Sequence, residues 1–192
     1  MKIALIVLGA FAALVIVVVA AGMALPVEHR AVREARYERP SAEIFALIAD
    51  PKKFPSWRSS VESVEILPDS NGRRRYREVG SDGAILYEVE ESVPNERLVT
   101  RIADRSLPFG GRWTFELIPS GGSTIVRITE DGEVYNPVFR FLSRFVIGHT
   151  RGLDTYLRDL ARQLGETGEL VIASGWLAIA GFPAEGVRSV RL

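Results

Sequence analysis

The feature that most constrains this chain is an uninterrupted apolar segment near its N-terminus. From Ile3 to Leu25 no residue carries a charged, hydroxyl or amide side chain, and Ala, Val, Ile and Leu make up most of the segment. At about 1.5 Å per residue, a helix of this length reaches roughly 35 Å, which exceeds a hydrocarbon thickness of about 30 Å. The segment is therefore predicted to form a single transmembrane helix, so that residues 1–27 anchor the rest of the chain.

A cleaved secretory signal is the alternative interpretation of the same segment. Lys2 supplies the positive charge that precedes a signal sequence, and small residues around Gly22 offer a cleavage site. Signal sequences usually have a shorter apolar region of about 7 to 15 residues, so an uncleaved anchor is favoured. The sequence does not decide on which side of the membrane the domain after this segment lies. Four arginines after the segment favour a cytoplasmic domain, whereas a short positive N-terminus resembles a signal anchor that exports it.

The part of the chain after the anchor has the composition of a single globular domain. Residues 28–192 are long enough to bury a core. Setting Lys2 aside from the 24 basic and 24 acidic residues of the whole chain leaves a nearly balanced charge. This balance argues against nucleic-acid binding, which needs a basic surface. Cysteine is absent, so the fold does not depend on a disulfide.

The first two thirds of the domain contain one short helix and many strands. An alternating pattern from Val27 to Tyr37 predicts a strand, and Ser41 is an N-cap candidate for a helix that ends at Asp50. Six strand-like runs follow, and the short turns between them predict an antiparallel meander. The runs are Val61 to Leu67, Arg73 to Val79, Ala84 to Val93, Arg97 to Ala103, Arg112 to Ile118 and Ser123 to Val134.

The last element of the domain is an amphipathic pattern from Pro137 to Leu164. Asn136 suits the N-cap of a helix, Pro137 its first position and Gly165 its end. The pattern predicts one long helix with a single apolar face. The residues of that face are Phe139, Leu142, Val146, His149, Leu153, Tyr156, Leu160 and Leu164.

Residues 166–192 form a tail that the sequence leaves unassigned. Its apolar run from Leu170 to Phe182 is broken by Ser174 and Gly175, and it is too short for a second membrane span. Packing on the domain, contact with the membrane surface and disorder all stay open for this tail.

In this order, the elements resemble those of the START-like, or SRPBCC, helix-grip proteins. The resemblance is strongest to the polyketide cyclase and dehydrase group, which includes coenzyme Q-binding proteins, and it covers residues 28–165. It is carried by the Pro-Ser-Ala-Glu-Ile-Phe start of the first helix at 40–45, by residues 50–57, and by residues 130–137 before the long helix. It implies an α+β fold in which a curved antiparallel sheet wraps around a long C-terminal helix, here with an added transmembrane helix.

The resemblance also implies a cavity between sheet and helix that holds a hydrophobic molecule. Within the residues themselves, Trp113, Phe115 and Leu117 alternate with polar neighbours, so one face of that strand carries large apolar side chains. Aromatic residues with polar tips line ligand sites as readily as they fill cores. The residues expected to line the cavity are Trp57, Tyr76, Tyr87, Trp113, Phe115, Phe139, Leu142, Val146, His149 and Leu153.

Catalytic chemistry has few candidates in this sequence. The two histidines, His29 and His149, are far apart in sequence and no cysteine accompanies them, so neither a metal site nor a cofactor is predicted. His149 on the apolar face is a candidate proton carrier, and Glu130 is a candidate for polarising a carbonyl. A hydrogen-bonded core histidine and an ordinary strand-end carboxylate are the simpler interpretations of these two residues.

Two functions follow as hypotheses. The favoured one is a membrane-tethered binding or carrier domain for a hydrophobic small molecule such as a lipid, a quinone or a polyketide. The alternative is a cyclase or dehydratase that acts on a hydrophobic substrate in the same cavity. Docking of a protein partner is a third possibility.

Overall fold

The structure is a computed structural model that describes residues 2–81, 83–166, 169–172 and 188–191. Its helices are α1 (Lys2–Ala24), α2 (Ser41–Ile48), α3 (Phe54–Trp57), α4 (Pro137–Leu142) and α5 (Arg151–Gln163), with a 3-10 turn at Pro51–Lys53 and a π-helical turn at Ser143–Ile147. Its strands are β1 (Glu28–Tyr37), β2 (Val61–Ser70), β3 (Arg73–Gly80), β4 (Gly83–Val93), β5 (Arg97–Ile102), β6 (Phe109–Ser120), β7 (Ser123–Val134), β8 (Glu169–Ile172) and β9 (Arg188–Arg191).

The strands form one antiparallel sheet in the order β2-β3-β4-β5-β6-β7-β1-β8-β9. The predicted meander is confirmed, since each strand from β2 to β6 pairs with the next strand along the chain. β1 pairs with β7 over its whole length, and β8 extends the sheet beyond β1 at Glu34–Arg36. The fold is the curved antiparallel sheet with a C-terminal helix that the sequence predicts.

The core lies between the concave face of the sheet and the helices. Alternation along each strand places one set of side chains inward, for example Ala35 and Tyr37 on β1 and Phe115 on β6. α5 covers this face with Leu157 and other residues that are wholly buried. The Tyr37 hydroxyl donates a hydrogen bond to the Leu157 carbonyl at 2.8 Å, which fixes α5 against β1.

The C-terminal helix differs in one respect from the single rod expected over Pro137 to Leu164. It is interrupted between the π-helical turn and α5 at Gly148, whose φ of 80° and ψ of 154° are outside the helical region and suit a residue without a Cβ. The predicted apolar face is therefore divided. Leu153 beyond the break is wholly buried, whereas Phe139 and Val146 before it are 50% and 70% exposed.

The structure also describes the apolar N-terminal segment as one helix. α1 has 23 residues and is long and apolar enough to span a membrane. Most of its surface is exposed, but its last turns contact α4, and Gly22 is buried there. The domain follows closely, because β1 begins at Glu28, four residues after the end of α1.

The tail is only partly described. β8 and β9 pair with each other, which places residues 169–172 and 188–191 in the sheet. The greater part of the apolar run from Leu170 to Phe182 lies outside the described residues.

Candidate functional site

An interior cavity of about 40 Å³ lies between the concave face of the sheet and the helices α2, α3 and α5. Strands β3 to β6 form its floor, and the three helices form its roof. Its lining residues are Ile48, Phe54, Arg58, Tyr76, Glu78, Tyr87, Leu98, Thr100, Trp113, Phe115 and Tyr156. The lining is thus mainly aromatic, with one ion pair and a few hydroxyl groups.

The ion pair consists of Arg58, just after α3, and Glu78 on β3. Arg58 Nη1 donates to Glu78 Oε1 at 2.7 Å, and the two side chains are only 13% and 9% exposed. Burial raises the pKa of Glu78, and the neighbouring guanidinium of Arg58 only partly opposes that rise. Because a buried charge without a partner is costly, each member of the pair depends on the other.

Aromatic rings surround the guanidinium of Arg58. Its central carbon lies 4.8 Å from the ring centre of Phe54 and 5.0 Å from that of Tyr156, which are cation–π distances. Tyr76 and Tyr87 stack on each other at 5.4 Å on the floor of the cavity. A cation held among aromatic faces suits a ligand that combines a flat apolar body with a polar or anionic group.

Among the residues that the structure describes, two buried polar atoms beside the pair find no hydrogen-bond partner. The hydroxyl of Tyr156 and the indole nitrogen of Trp57 belong to side chains that are 4% and 6% exposed. Burial is the main cause that raises the pKa of Tyr156, so this hydroxyl keeps its proton and remains a donor. Buried polar groups are usually hydrogen-bonded, and unpaired ones cost folding free energy. The cavity wall therefore offers an unused donor at Tyr156 next to the charge of Arg58.

The cavity is too small in this structure for a drug-sized molecule. A volume of about 40 Å³ is close to the roughly 30 Å³ that one water molecule occupies in the liquid. Sites for organic ligands usually measure about 300–1,000 Å³. A hydrophobic ligand would therefore have to displace side chains or helices that now limit the volume of the cavity.

The predicted cavity residues fall into three groups. Tyr76, Tyr87, Trp113 and Phe115 line the cavity. Trp57 packs one layer behind it, edge-on to Phe54 and Tyr156, and Leu153 is buried core outside the lining. The other four predicted residues, Phe139, Leu142, Val146 and His149, lie outside the lining. The first three precede the break at Gly148, whereas His149 follows it and stacks on His29 before α5 begins.

Three polar residues of the lining, Arg58, Glu78 and Tyr156, were not predicted from the sequence to line the cavity. A signal for two of them was present. Glu78 is two residues from Tyr76 on the same strand and so shares its inward face, and Tyr156 belongs to the predicted apolar face of the helix. Arg58 gave no such signal, because its partner is 20 residues away and only the packing of α3 on the sheet brings them together.

The candidate proton carriers His149 and Glu130 meet at one end of the concave face, together with His29. The rings of His29 and His149 stack at 3.9 Å, and His29 Nε2 lies 3.5 Å from Glu130 Oε1. Glu130 is directly opposite Trp113 in the β6–β7 pair, and Trp113 lines the cavity. The cluster therefore lies next to the cavity wall. A Cβ at Gly132 would collide with the His29 ring, so a larger residue there would displace this ring from its present position. The cluster can hold and pass a proton at the rim of the cavity.

The histidine stack is expected to make the domain less stable in acid. Burial, helped by His29 and Arg144 and opposed by Glu130, lowers the pKa of His149 below its usual value of 6.5. The unfolded chain then binds this proton more readily than the folded one, so folding stability is full above about 6.5 and falls as the pH drops through that value toward the lower, folded-state pKa. Denaturant titrations above and below that pH measure the effect.

The matched control for this prediction is His149→Phe, which keeps a ring against His29 but has no proton to bind. The loss of stability in acid is expected to be smaller in His149→Phe than in the wild type. An equal loss in both proteins would assign the pH dependence to the carboxylates instead.

A larger depression of about 350 Å³ lies on the opposite, convex face of the sheet. Its charged residues pair with one another: Glu90 with Arg101 at 2.8 Å and with Arg112 at 3.1 Å, and Arg97 with Glu116 at 3.0 Å. Most of the paired side chains are a third or more exposed to solvent, so we interpret this depression as a surface network of ion pairs. Among the described residues, no cluster of three His, Asp or Glu side chains is arranged to hold a metal ion.

Comparison with known proteins agrees with this geometry. Residues 28–165 match the model of the family described as polyketide cyclase / dehydrase and lipid transport. No curated protein matches the chain at a significant level.

Solved structures with the same fold include one from each of three organisms. A START superfamily protein from Mycobacterium smegmatis is 19% identical with a TM-score of 0.58, over 71% of this chain and 97% of that one. A protein from Thermus thermophilus is 23% identical with a TM-score of 0.58, over 71% and 96%. Norcoclaurine synthase from Thalictrum flavum is 12% identical with a TM-score of 0.58, over 73% and 88%. At these identities the likeness concerns the fold alone. The family match covers most of the chain, so this protein belongs to the polyketide cyclase / dehydrase and lipid transport family, and its fold is that of START-like proteins.

Proposed function

We propose that this protein is a membrane-anchored binding protein for a hydrophobic small molecule, which enters the space between the sheet and α5. The observation that carries the proposal is the unpartnered, buried hydroxyl of Tyr156 beside the Arg58–Glu78 pair in an aromatic cavity. A domain that served only as a scaffold would gain stability by replacing these groups with apolar ones. The description of the family, which includes lipid transport, supports the same proposal.

The chemistry of the lining limits the class of ligand. Aromatic rings favour a flat or chain-like apolar body, whereas Arg58 and Tyr156 donate hydrogen bonds to an acceptor. A carbonyl, phenolate or carboxylate oxygen on an otherwise apolar molecule fits both requirements, as in a quinone, a fatty acid or a polyketide. α1, as a membrane anchor, would hold the cavity close to the bilayer in which such molecules dissolve.

The presence of a ligand is tested by native mass spectrometry of the full chain released from membranes. We expect additional mass on the wild-type protein, or its appearance when lipids, quinones or aromatic polyketides are offered. A protein that is empty and stays empty with all three classes would refute the proposal.

Removing the Tyr156 hydroxyl is expected to weaken ligand binding without harming the fold. A hydrogen bond contributes about 0.5–1.5 kcal/mol, so Tyr156→Phe should lower affinity by roughly 2- to 13-fold. Its unfolding free energy should stay equal or rise slightly, because no internal hydrogen bond is lost. Mass-spectrometric titration with the ligand found above and denaturant unfolding measure the two quantities.

Tyr37→Phe is the matched control, since it deletes the same atom from another buried tyrosine. Tyr37 donates to the Leu157 carbonyl at 2.8 Å and does not line the cavity. This variant should lose about 0.5–1.5 kcal/mol of stability and keep its affinity. If Tyr156→Phe behaved as Tyr37→Phe does, the hydroxyl would be a structural group and would not contact the ligand.

A cyclase or dehydratase is the second candidate function, and one observation favours it. His29, His149 and Glu130, which are separate in the sequence, meet at the rim of the cavity, and burial lowers the pKa of His149 so that it is a neutral proton acceptor near pH 7. Such a group can take a proton next to a substrate carbonyl. With a converted ligand in hand, unchanged turnover in both His149→Ala and Glu130→Ala would exclude this function for the cluster.

A further inference from the structure

An exposed apolar surface continues from α1 onto the segment 137–147, which comprises α4 and the π-helical turn. Four of its side chains are large, apolar and more than a third exposed: Val138 at 37%, Phe139 at 50%, Phe145 at 63% and Val146 at 70%. Soluble surfaces carry single exposed apolar residues routinely, but a contiguous aromatic and aliphatic set marks an interaction surface.

The contacts between segment 137–147 and α1 show where this segment lies relative to a bilayer that α1 would span. Gly22 is buried under Pro137, and a Cβ at Gly22 would collide with the Pro137 carbonyl oxygen, so α4 lies directly on the helix. The Arg140 guanidinium donates to the Leu25 carbonyl at 2.8 Å, which ties α4 to the end of α1. Gly22 and Leu25 are three residues apart, or roughly 5 Å along a helix axis. Segment 137–147 thus lies at the level where a spanning helix leaves the hydrocarbon.

The charges of segment 137–147 are those expected of a helix that lies in the bilayer interface. It contains Arg140 and Arg144 and no acidic residue. Interfacial helices bury an apolar face about 5–10 Å below the headgroups and keep basic side chains at the level of the lipid phosphates. The exposed set of Phe139, Phe145 and Val146 supplies such a face. The net positive charge of the segment is of the sign that such helices carry.

We infer that segment 137–147 is a second membrane-embedded element, which lies in the bilayer interface beside α1. The inference rests on the proposed function in one respect, namely that α1 spans the bilayer. This inference explains the break at Gly148. The residues before the break lie along the membrane, whereas those after it pack on the concave face of the sheet. The domain is then held by two contacts with the lipid, which fix its orientation.

The absence of cysteine allows a direct test in the full chain. Single cysteines replace Phe145, Val146, Ala13 in the middle of α1, and Ile66, which is 48% exposed on β2. Each carries a nitroxide label, and the protein is reconstituted in phosphatidylcholine–phosphatidylglycerol vesicles. Collision rates with oxygen, which concentrates in lipid, and with a water-soluble nickel chelate report the depth of each label.

The expected result is an oxygen-to-nickel ratio at Phe145 and Val146 that is several-fold above that at Ile66 and approaches that at Ala13. A ratio equal to that at Ile66, with Ala13 in lipid, would overturn this inference and leave the membrane anchor intact. Low ratios at all four sites would overturn the anchor as well. Protection of Phe145 and Val146 from both reagents would show that protein covers the surface, either a second copy or residues 173–187, and would also refute the inference.

A second substitution tests whether the Phe145 ring itself lies in the bilayer. Phe145→Ser, with the label at Val146, should reduce the oxygen-to-nickel ratio, because the neighbouring anchor residue is lost. Ile66→Ser should leave the ratio at Val146 unchanged. An unchanged ratio in Phe145→Ser would contradict the placement of its ring in the bilayer.

Discussion

Replacing Glu78 by alanine is expected to lower the unfolding free energy of the domain by about 3–5 kcal/mol, because it leaves the charge of Arg58 buried without a partner. The pair is 2.7 Å apart and its side chains are 13% and 9% exposed, so water cannot easily replace the lost carboxylate. Denaturant unfolding of the full chain in detergent, followed by tryptophan fluorescence, measures the loss.

Glu65→Ala is the matched control for this prediction. Glu65 pairs with Arg77 at 2.8 Å, but these side chains are 61% and 44% exposed. Because solvent screens such a pair, its removal should change stability by about 1 kcal/mol or less. Equal losses in Glu78→Ala and Glu65→Ala would mean that the cavity is already wet and that Arg58 is solvated there.

Replacing both members of the Arg58–Glu78 pair distinguishes their effect on stability from their effect on ligand binding. The double variant Arg58→Leu, Glu78→Leu should recover much of the stability lost in Glu78→Ala, since apolar replacement of a buried pair is often neutral or stabilising. It should also lose the proposed ligand, because the cation that faces the cavity is gone. Recovered stability together with lost binding would identify the pair as functional; retained binding would contradict that role.

Leu153→Ala is expected to cost about 2–5 kcal/mol, the usual range for a leucine truncated in a packed core. Leu153 is wholly buried near the start of α5, so the deleted atoms leave a void that the surrounding side chains fill only in part. The same unfolding experiment measures the effect.

Val146→Ala is the natural comparison, because both residues belong to the apolar face that the sequence predicts for one continuous helix. Val146 is 70% exposed, on the other side of the break at Gly148, and its truncation should change stability by about 0.5 kcal/mol or less. Similar losses for the two variants would mean that the helix runs unbroken and that Val146 packs on the sheet.

The strands were largely predictable because their signals are local. On β6, Trp113, Phe115 and Leu117 alternate with polar residues, and the structure places Phe115 and Leu117 in the core and Trp113 in the cavity wall. Short turns between consecutive strands permit little other than antiparallel pairing, so the order of the meander followed from the chain itself.

The candidate site was less predictable, because its polar groups come from distant parts of the chain. Arg58 and Glu78 are joined only when α3 packs on the sheet. His29 reaches Glu130 only through the pairing of β1 with β7, and His149 only through the placement of the segment that precedes α5. Their residue types were visible in the sequence, but nothing local indicated that they would be neighbours.

The sequence by itself determined the apolar N-terminal helix, the antiparallel sheet and the helical C-terminal segment, since hydrophobic length and periodicity depend on neighbouring residues alone. Tertiary structure decided where the C-terminal segment breaks and which way its halves face. A helical pattern continues through Gly148 in the sequence. The contact of α4 with α1 and the packing of α5 on the sheet orient the two halves differently, and the glycine is the residue whose backbone accommodates the change of direction.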